Sequence, residues 1–248
     1  MSILSTLSTD DSIKVASDTL GGGGPLDSGI YNMTVSVAYV TKSQGGAIGL
    51  ILHLKTDTGR EHRETLWMTS GTAKGCKNFY EKDGEKHYLP GFELANNLAL
   101  LTVGQEIGTL DTETKVVNVW SYDTKAEVPT KVDMITDLLG KEVIAGIIKE
   151  KVDKTQKADD GSYLPTGETR EVAVLDKLFR ARDRMTAAEI RAQADEAAFI
   201  DRWEQKWAGQ TRDKAKGAAG NAGAPRASAG VVAAANQGAK KPTTSLFA

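Results

Sequence analysis

The residues equipped for chemistry are few. His53, His62 and His87 are the only histidines and Cys76 is the only cysteine. His53 and His62 can approach each other across a hairpin, but two imidazoles without a third ligand do not define a zinc site. One cysteine makes neither an intrachain disulfide nor a Cys-rich metal site, which fits a reducing, cytosolic setting. The tetraglycine before Pro25 is no phosphate loop, because both a preceding strand and the lysine–serine pair are missing. Asp159 and Asp160 stand beside Gly161 as turn chemistry. No nucleophile, base and orienting group can be assembled. The chain is read as non-catalytic, with no cofactor and no metal.

What remains is binding chemistry. In "HRETLWMT" the residues Leu66 and Met68 share a parity that can join Leu50 and Leu52 in a core. Strand alternation then turns Arg63, Thr65, Trp67 and Thr69 to the other face, opposite Gly49, Ile51, His53 and Lys55. An exposed indole among cations suits unpaired bases, because each base offers a face to stack, worth about 1–3 kcal/mol, while Lys and Arg take the phosphates. A tryptophan packed in the core, or turned inward by a bulge, is the competing reading, and pattern alone leaves both open. Phe79, Tyr80 and Tyr88 interleave with Lys74, Lys77, Lys82 and Lys86 in a projecting loop. There, contact with a partner is favoured for at least one aromatic. Tyr31 and Tyr39, on the apolar parity of the first strand, are assigned to the core, and Trp120 and Tyr122 fit either role.

These residues need strands to hold them. Residues 1–28 read as a flexible arm ending in "GGGGP". From residue 29 the odd positions Tyr31, Met33, Val35, Val37 and Tyr39 alternate with polar neighbours, and Ile48, Leu50, Leu52 and Leu54 repeat the pattern after "KSQGGA". With "HRETLWMT" this is an antiparallel meander. "KDGE" marks a tight hairpin, and "FELANNLALLTVG" has helical spacing up to Gly104. Residues 114–122, 141–157 and 169–181 read as further strands, the second bending at Gly146. The expected domain spans residues 29–182, followed by a C-terminal helix over 183–208 capped by Thr186 and Glu189. Its apolar stripe, from Ile190 through Ile200 and Trp203 to Trp207, fits packing on its own domain, or pairing with another subunit in a homo-oligomer. Residues 209–248 lack periodicity and are expected to be a disordered basic tail.

The bulk numbers add limits. No run approaches the roughly 18 apolar residues needed to span a bilayer, so no membrane partner is expected, and no secretory signal is read at the N-terminus. A net charge of -2 does not itself mark a nucleic-acid binder. The charge is uneven, however: residues 209–248 carry six cations and one acid, +5, which leaves -7 for residues 1–208.

The succession "GIYNMTVSVAYVTKSQGGAIGLILHLKTDTG", "TLWMTSGTAKG" and "KDGEKHYLPGFELANNLALL" resembles phage-encoded single-stranded DNA-binding proteins built on the oligonucleotide/oligosaccharide-binding barrel, the OB-fold. The resemblance covers residues 28–180 and lies in pattern more than in a sharp motif. It implies a mainly β, OB-fold-like antiparallel barrel with a short interposed helix, which coats unwound DNA during DNA replication and recombination of a bacteriophage, in the cytoplasm of the infected bacterial host. Carried onto these positions, Trp67 becomes the leading stacking residue, with Arg63, Lys55, Lys74, Lys77, Phe79, Tyr80, Lys82 and Tyr88 as supporting contacts. Partners are then single-stranded DNA and phage replication or recombination proteins, the latter reached through Leu246 and Phe247 at the tail tip. The tail departs from the acidic tails of many such proteins, so it cannot mimic DNA electrostatically. The alternative is a structural or virion-associated β-domain with no nucleic-acid role.

Overall fold

The structure, a computed structural model, describes Ser12 and residues 24–121, 124–158 and 163–216. It is mainly β and antiparallel. The alternating segments form β1 (Gly29–Lys42), β2 (Ile48–Thr56) and β3 (Glu61–Trp67), paired as a meander. Leu50, Leu52 and Leu54 are fully buried, and Leu66 joins them from β3, as a two-residue period requires. A hairpin follows, β4 (Phe79–Lys82) and β5 (Glu85–Tyr88), turning on Asp83 and Gly84. Both turn residues have positive φ, the signature of a type I′ turn. Helix α1 (Pro90–Thr102) begins on a proline, which fits a first turn with no use for its amide, and buries Ala95, Leu98, Ala99 and Leu101.

The barrel is completed by β8 (Glu142–Lys157), which pairs with the first half of β1, and by β9 (Tyr163–Arg180), which pairs with β8. The resulting order β9-β8-β1-β2-β3, with α1 between the third and fourth barrel strands and against β3, β8 and β9, is an OB-fold-like arrangement. Among the described residues no ladder joins β3 to β9. Glu64 spans that seam instead, its carboxylate accepting from the Leu175 amide at 2.8 Å and lying 3.0 Å from Nε2 of the buried His62. At Gly146, the position of the expected bend, the β8–β9 register shifts, with Asp176 the extra residue on β9. The indole of Trp203 packs there, within 3.0–3.1 Å of where a side chain at residue 146 would begin.

Four boundaries differ from the sequence reading. Leu26 is buried in the main core, and the Ser28 hydroxyl donates to the Gln210 carbonyl while accepting from the Lys149 amide, so residues 24–28 belong to the domain rather than to the arm. A strand goes unpredicted, β7 (Ala126–Met134), which forms a hairpin with β6 (Glu113–Ser121) inserted between α1 and β8. The single C-terminal helix is two, α2 (Ala187–Arg191) and α3 (Phe199–Trp207). The capping box of Thr186 and Glu189 forms as expected, and the second oxygen of Glu189 accepts from the Phe199 amide, so one carboxylate serves both helix starts. The apolar stripe packs on its own domain, with Ile200 and Trp203 meeting Ile144, Ile148 and Phe179 in a second core. Finally, the tail does not begin at residue 209. β10 (Thr211–Asp213) lies parallel to β8, and both Arg212 and Lys214 pair with the buried Glu150. Beyond residue 216 the cations are Arg226, Lys240 and Lys241, with no acidic side chain, so residues 217–248 carry a side-chain charge of +3.

Acid sensitivity follows from the turn after β9. Arg180 hydrogen-bonds Asp183 and holds its carboxyl below the ordinary carboxylate range, against the opposing effect of burial. The folded value lies below the unfolded one, so the stabilisation is complete above the unfolded value and disappears as pH falls through the folded one. Asp183→Asn is expected to lower the melting temperature at pH 7 and to make the loss of stability below about pH 4 shallower.

Candidate nucleic-acid interface

β1 contains the step that decides which side chains reach the outer surface. Val35 faces Leu54 and Val37 faces His53, so Ser36 is an extra residue in the ladder. Before this bulge the odd-numbered Met33 and Val35 enter the core; beyond it the even-numbered Ala38 does, with Val40 packed against the same cluster. Val37, Tyr39 and Thr41 are thereby turned outward. Tyr31 packs against the core as expected, whereas Tyr39 does not follow it, because strict alternation has no way to register the inserted residue.

Three rows cross the outer face: Val37, His53 and Arg63; Tyr39, Ile51 and Thr65; Thr41, Gly49 and Trp67. Trp67 is half-buried on this face. A side chain at residue 49 would begin 2.9 Å from Cε3 of the indole and 3.1 Å from Cζ3. The six-membered ring therefore lies on the bare backbone of Gly49, and the smallest residue of β2 seats the largest of β3. Behind it, α1 packs against the Trp67 main chain, since a side chain at Gly91 would begin 2.3 Å from the Trp67 carbonyl oxygen. Arg63 and Lys55 share the outer face farther along, where Nε and Nη2 of Arg63 donate to Glu61 at 3.0 and 2.7 Å and Lys55 stands opposite Glu61.

The hairpin β4–β5 adds aromatics with cations over them. Phe79 lies under Lys77 and Lys86, at 5.4 and 4.9 Å from the ring centroid, and Tyr80 stacks on His87 at 5.5 Å. Tyr88 is 61% exposed and leans on Phe92 at 5.0 Å, while Lys82 stands at the hairpin tip opposite Glu85. A groove of about 1650 Å³ brings Trp67, Lys74, Lys77, Phe79 and Tyr80 together. Arg63, Lys55, Lys82 and Tyr88 lie outside its walls. At the far end of the groove Arg212 and Lys214 are already committed to Glu150, and Arg212 also to Asp176. The remaining cations of the groove walls are Lys74 and Lys77 on the hairpin side and Lys177 on β9, and the same walls carry Glu64, Glu81 and Glu93. Leu246, Phe247, Tyr122, Asp159 and Asp160 lie outside the described residues.

His53 and His62 occupy neighbouring strands but opposite faces, one outward beside Arg63 and one buried beside Glu64. Among the described residues no group of three His, Cys, Asp or Glu could hold a metal ion. No helix among them is long and apolar enough to cross a membrane. No protein-family model and no curated protein sequence matches this chain.

Proposed function

We propose that this chain is a non-catalytic, sequence-independent single-stranded DNA-binding protein of the kind phages use to coat unwound DNA in replication and recombination, acting in the cytoplasm of the infected bacterial host. The observation that carries the reading is the pairing of Trp67, seated on Gly49, with the Lys-flanked Phe79 in one groove. Two aromatic platforms with adjacent lysines match what an unpaired strand presents, flat bases on one side and a regular row of phosphates on the other. Tyr39 and Ile51 lie in the next row of the outer face, beside Trp67 and outside the groove walls, and short side chains such as Thr41 and Thr65 leave that face open to a backbone of any sequence.

Titration with oligo(dT) at several salt concentrations tests this. Binding that weakens linearly on a log–log plot, through release of condensed counterions, is expected. Absence of binding at low salt contradicts the reading and favours a structural role.

His53 supplies a second expectation. Burial, together with the nearby Arg63, holds its pKa below the ordinary imidazole value, with Glu61 opposing. The ring is therefore neutral at pH 7 and gains its proton only below about pH 6.5, adding a positive charge to the outer face. Affinity for oligo(dT) should rise on acidification through that range, and His53→Gln should flatten the rise.

A further inference from the structure

The outer strand of the inserted hairpin, β6, carries Val116-Val117-Asn118-Val119-Trp120. We propose that this strand pairs with the same strand of a second copy of the chain, antiparallel about Asn118, to make a two-fold dimer. The bonding pattern fixes which edge is free. The Ile135 amide donates to the Ala38 carbonyl at 2.9 Å, so odd-numbered residues at this end turn their amides from β7 towards β1 and even-numbered ones turn theirs towards β6. On β6 the partners of β7 are then Lys115, Val117 and Val119. The main-chain groups of Val116, Asn118 and Trp120 point to the opposite edge, where no strand lies among the described residues.

The same parity leaves two large apolar side chains in water. Val116 is 63% exposed and Trp120 53% exposed, on a face whose β7 members include Pro129 and Lys131. Pro129 sits opposite Asn118 at a position whose amide would point away from β6, so it leaves the hairpin intact. An open edge rich in valine and carrying an exposed indole is a template for strand addition.

Self-complementarity selects a second copy as the occupant. Pairing about Asn118 sets Val117 against the partner subunit's Val119 and Val116 against the partner subunit's Trp120. Lys115 then faces the partner subunit's Ser121. Apolar residues meet apolar residues, no like charges oppose each other, and the contact closes on itself as an isologous pair. β6 lies at the end of the local order β6-β7-β1-β2-β3 remote from β3, so this surface is distinct from the Trp67 groove and does not depend on DNA binding.

Sedimentation velocity of the full chain over a wide concentration range tests the proposal, and a monomer–dimer equilibrium is expected. Asn118→Pro removes only an amide that points to the free edge, so it should abolish the dimer while retaining the melting transition and the affinity for a short oligo(dT). In a Cys76→Ser background, Asn118→Cys should oxidise to a disulfide-linked dimer, because the residue on the two-fold axis faces its own copy at about 5.5 Å between Cα atoms. A wild-type chain that stays monomeric throughout overturns the proposal. So does a dimer that survives Asn118→Pro while Asn118→Cys fails to cross-link.

Discussion

Replacing Trp67 with alanine is expected to weaken oligo(dT) binding by about 1–3 kcal/mol, roughly five- to 150-fold, the range for loss of one base-stacking platform. The same change should remove most of the quenching of tryptophan emission on binding. The other indoles are poorly placed to report it: Trp203 is buried with Nε1 bonded to Asp176, Trp207 lies beneath Lys206 and Arg212, and Trp120 is on the remote hairpin. Fold stability should change less than for a core tryptophan, because the indole lies on the outer face over Gly49 and Trp67 is not a member of the main core. Gly49→Ala offers a graded version, since a methyl group 2.9 Å from the ring forces the indole to move while keeping it present. Its affinity should fall between those of wild type and Trp67→Ala. A quench unchanged by Trp67→Ala would place the bases elsewhere.

Gly91→Ala should act in the opposite way, on stability before binding. The added carbon would begin 2.3 Å from the carbonyl oxygen of Trp67 and 2.7 Å from its amide nitrogen, and backbone atoms cannot rotate out of the way as the end of a side chain can. The first turn of α1 must lift off β3. Overpacking of this kind costs about 1–3 kcal/mol, and here it also loosens the helix that buries Leu98 and Leu101. Urea unfolding should show the shift in midpoint, with weaker DNA binding as a secondary effect of displacing the Trp67 main chain. A midpoint equal to wild type would mean that α1 does not bear on β3 as described.

The meander was legible because its core is written in a plain period of two, and the glycine and aspartate turn residues sit where positive φ is needed. The outward placement of Trp67 followed from the parity of Leu50, Leu52 and Leu66 alone. Tyr39 was not legible, because a single-residue bulge at Ser36 reverses parity without leaving a compositional mark. β7 escaped notice for a different reason: "AEVPTKVDM" is polar and contains a proline, which reads as a breaker unless one knows that its amide points away from β6. β10 could not be seen because three residues show no period, and its anchorage depends on Arg212 meeting a glutamate 62 positions earlier in the chain. The lysines and aromatics of the β4–β5 hairpin were recognisable as a group, whereas their division between the groove and the outer rim depends on hairpin register.

Photo-cross-linking of oligo(dT) carrying bromodeoxyuridine, with mass spectrometric mapping of the adducts, tests the central claim most directly. Adducts at Trp67 and Tyr39 and on the β4–β5 aromatics Phe79 or Tyr80 are predicted. Adducts confined to the segment beyond residue 216, with none on the outer face of β1, β2 and β3, would contradict it.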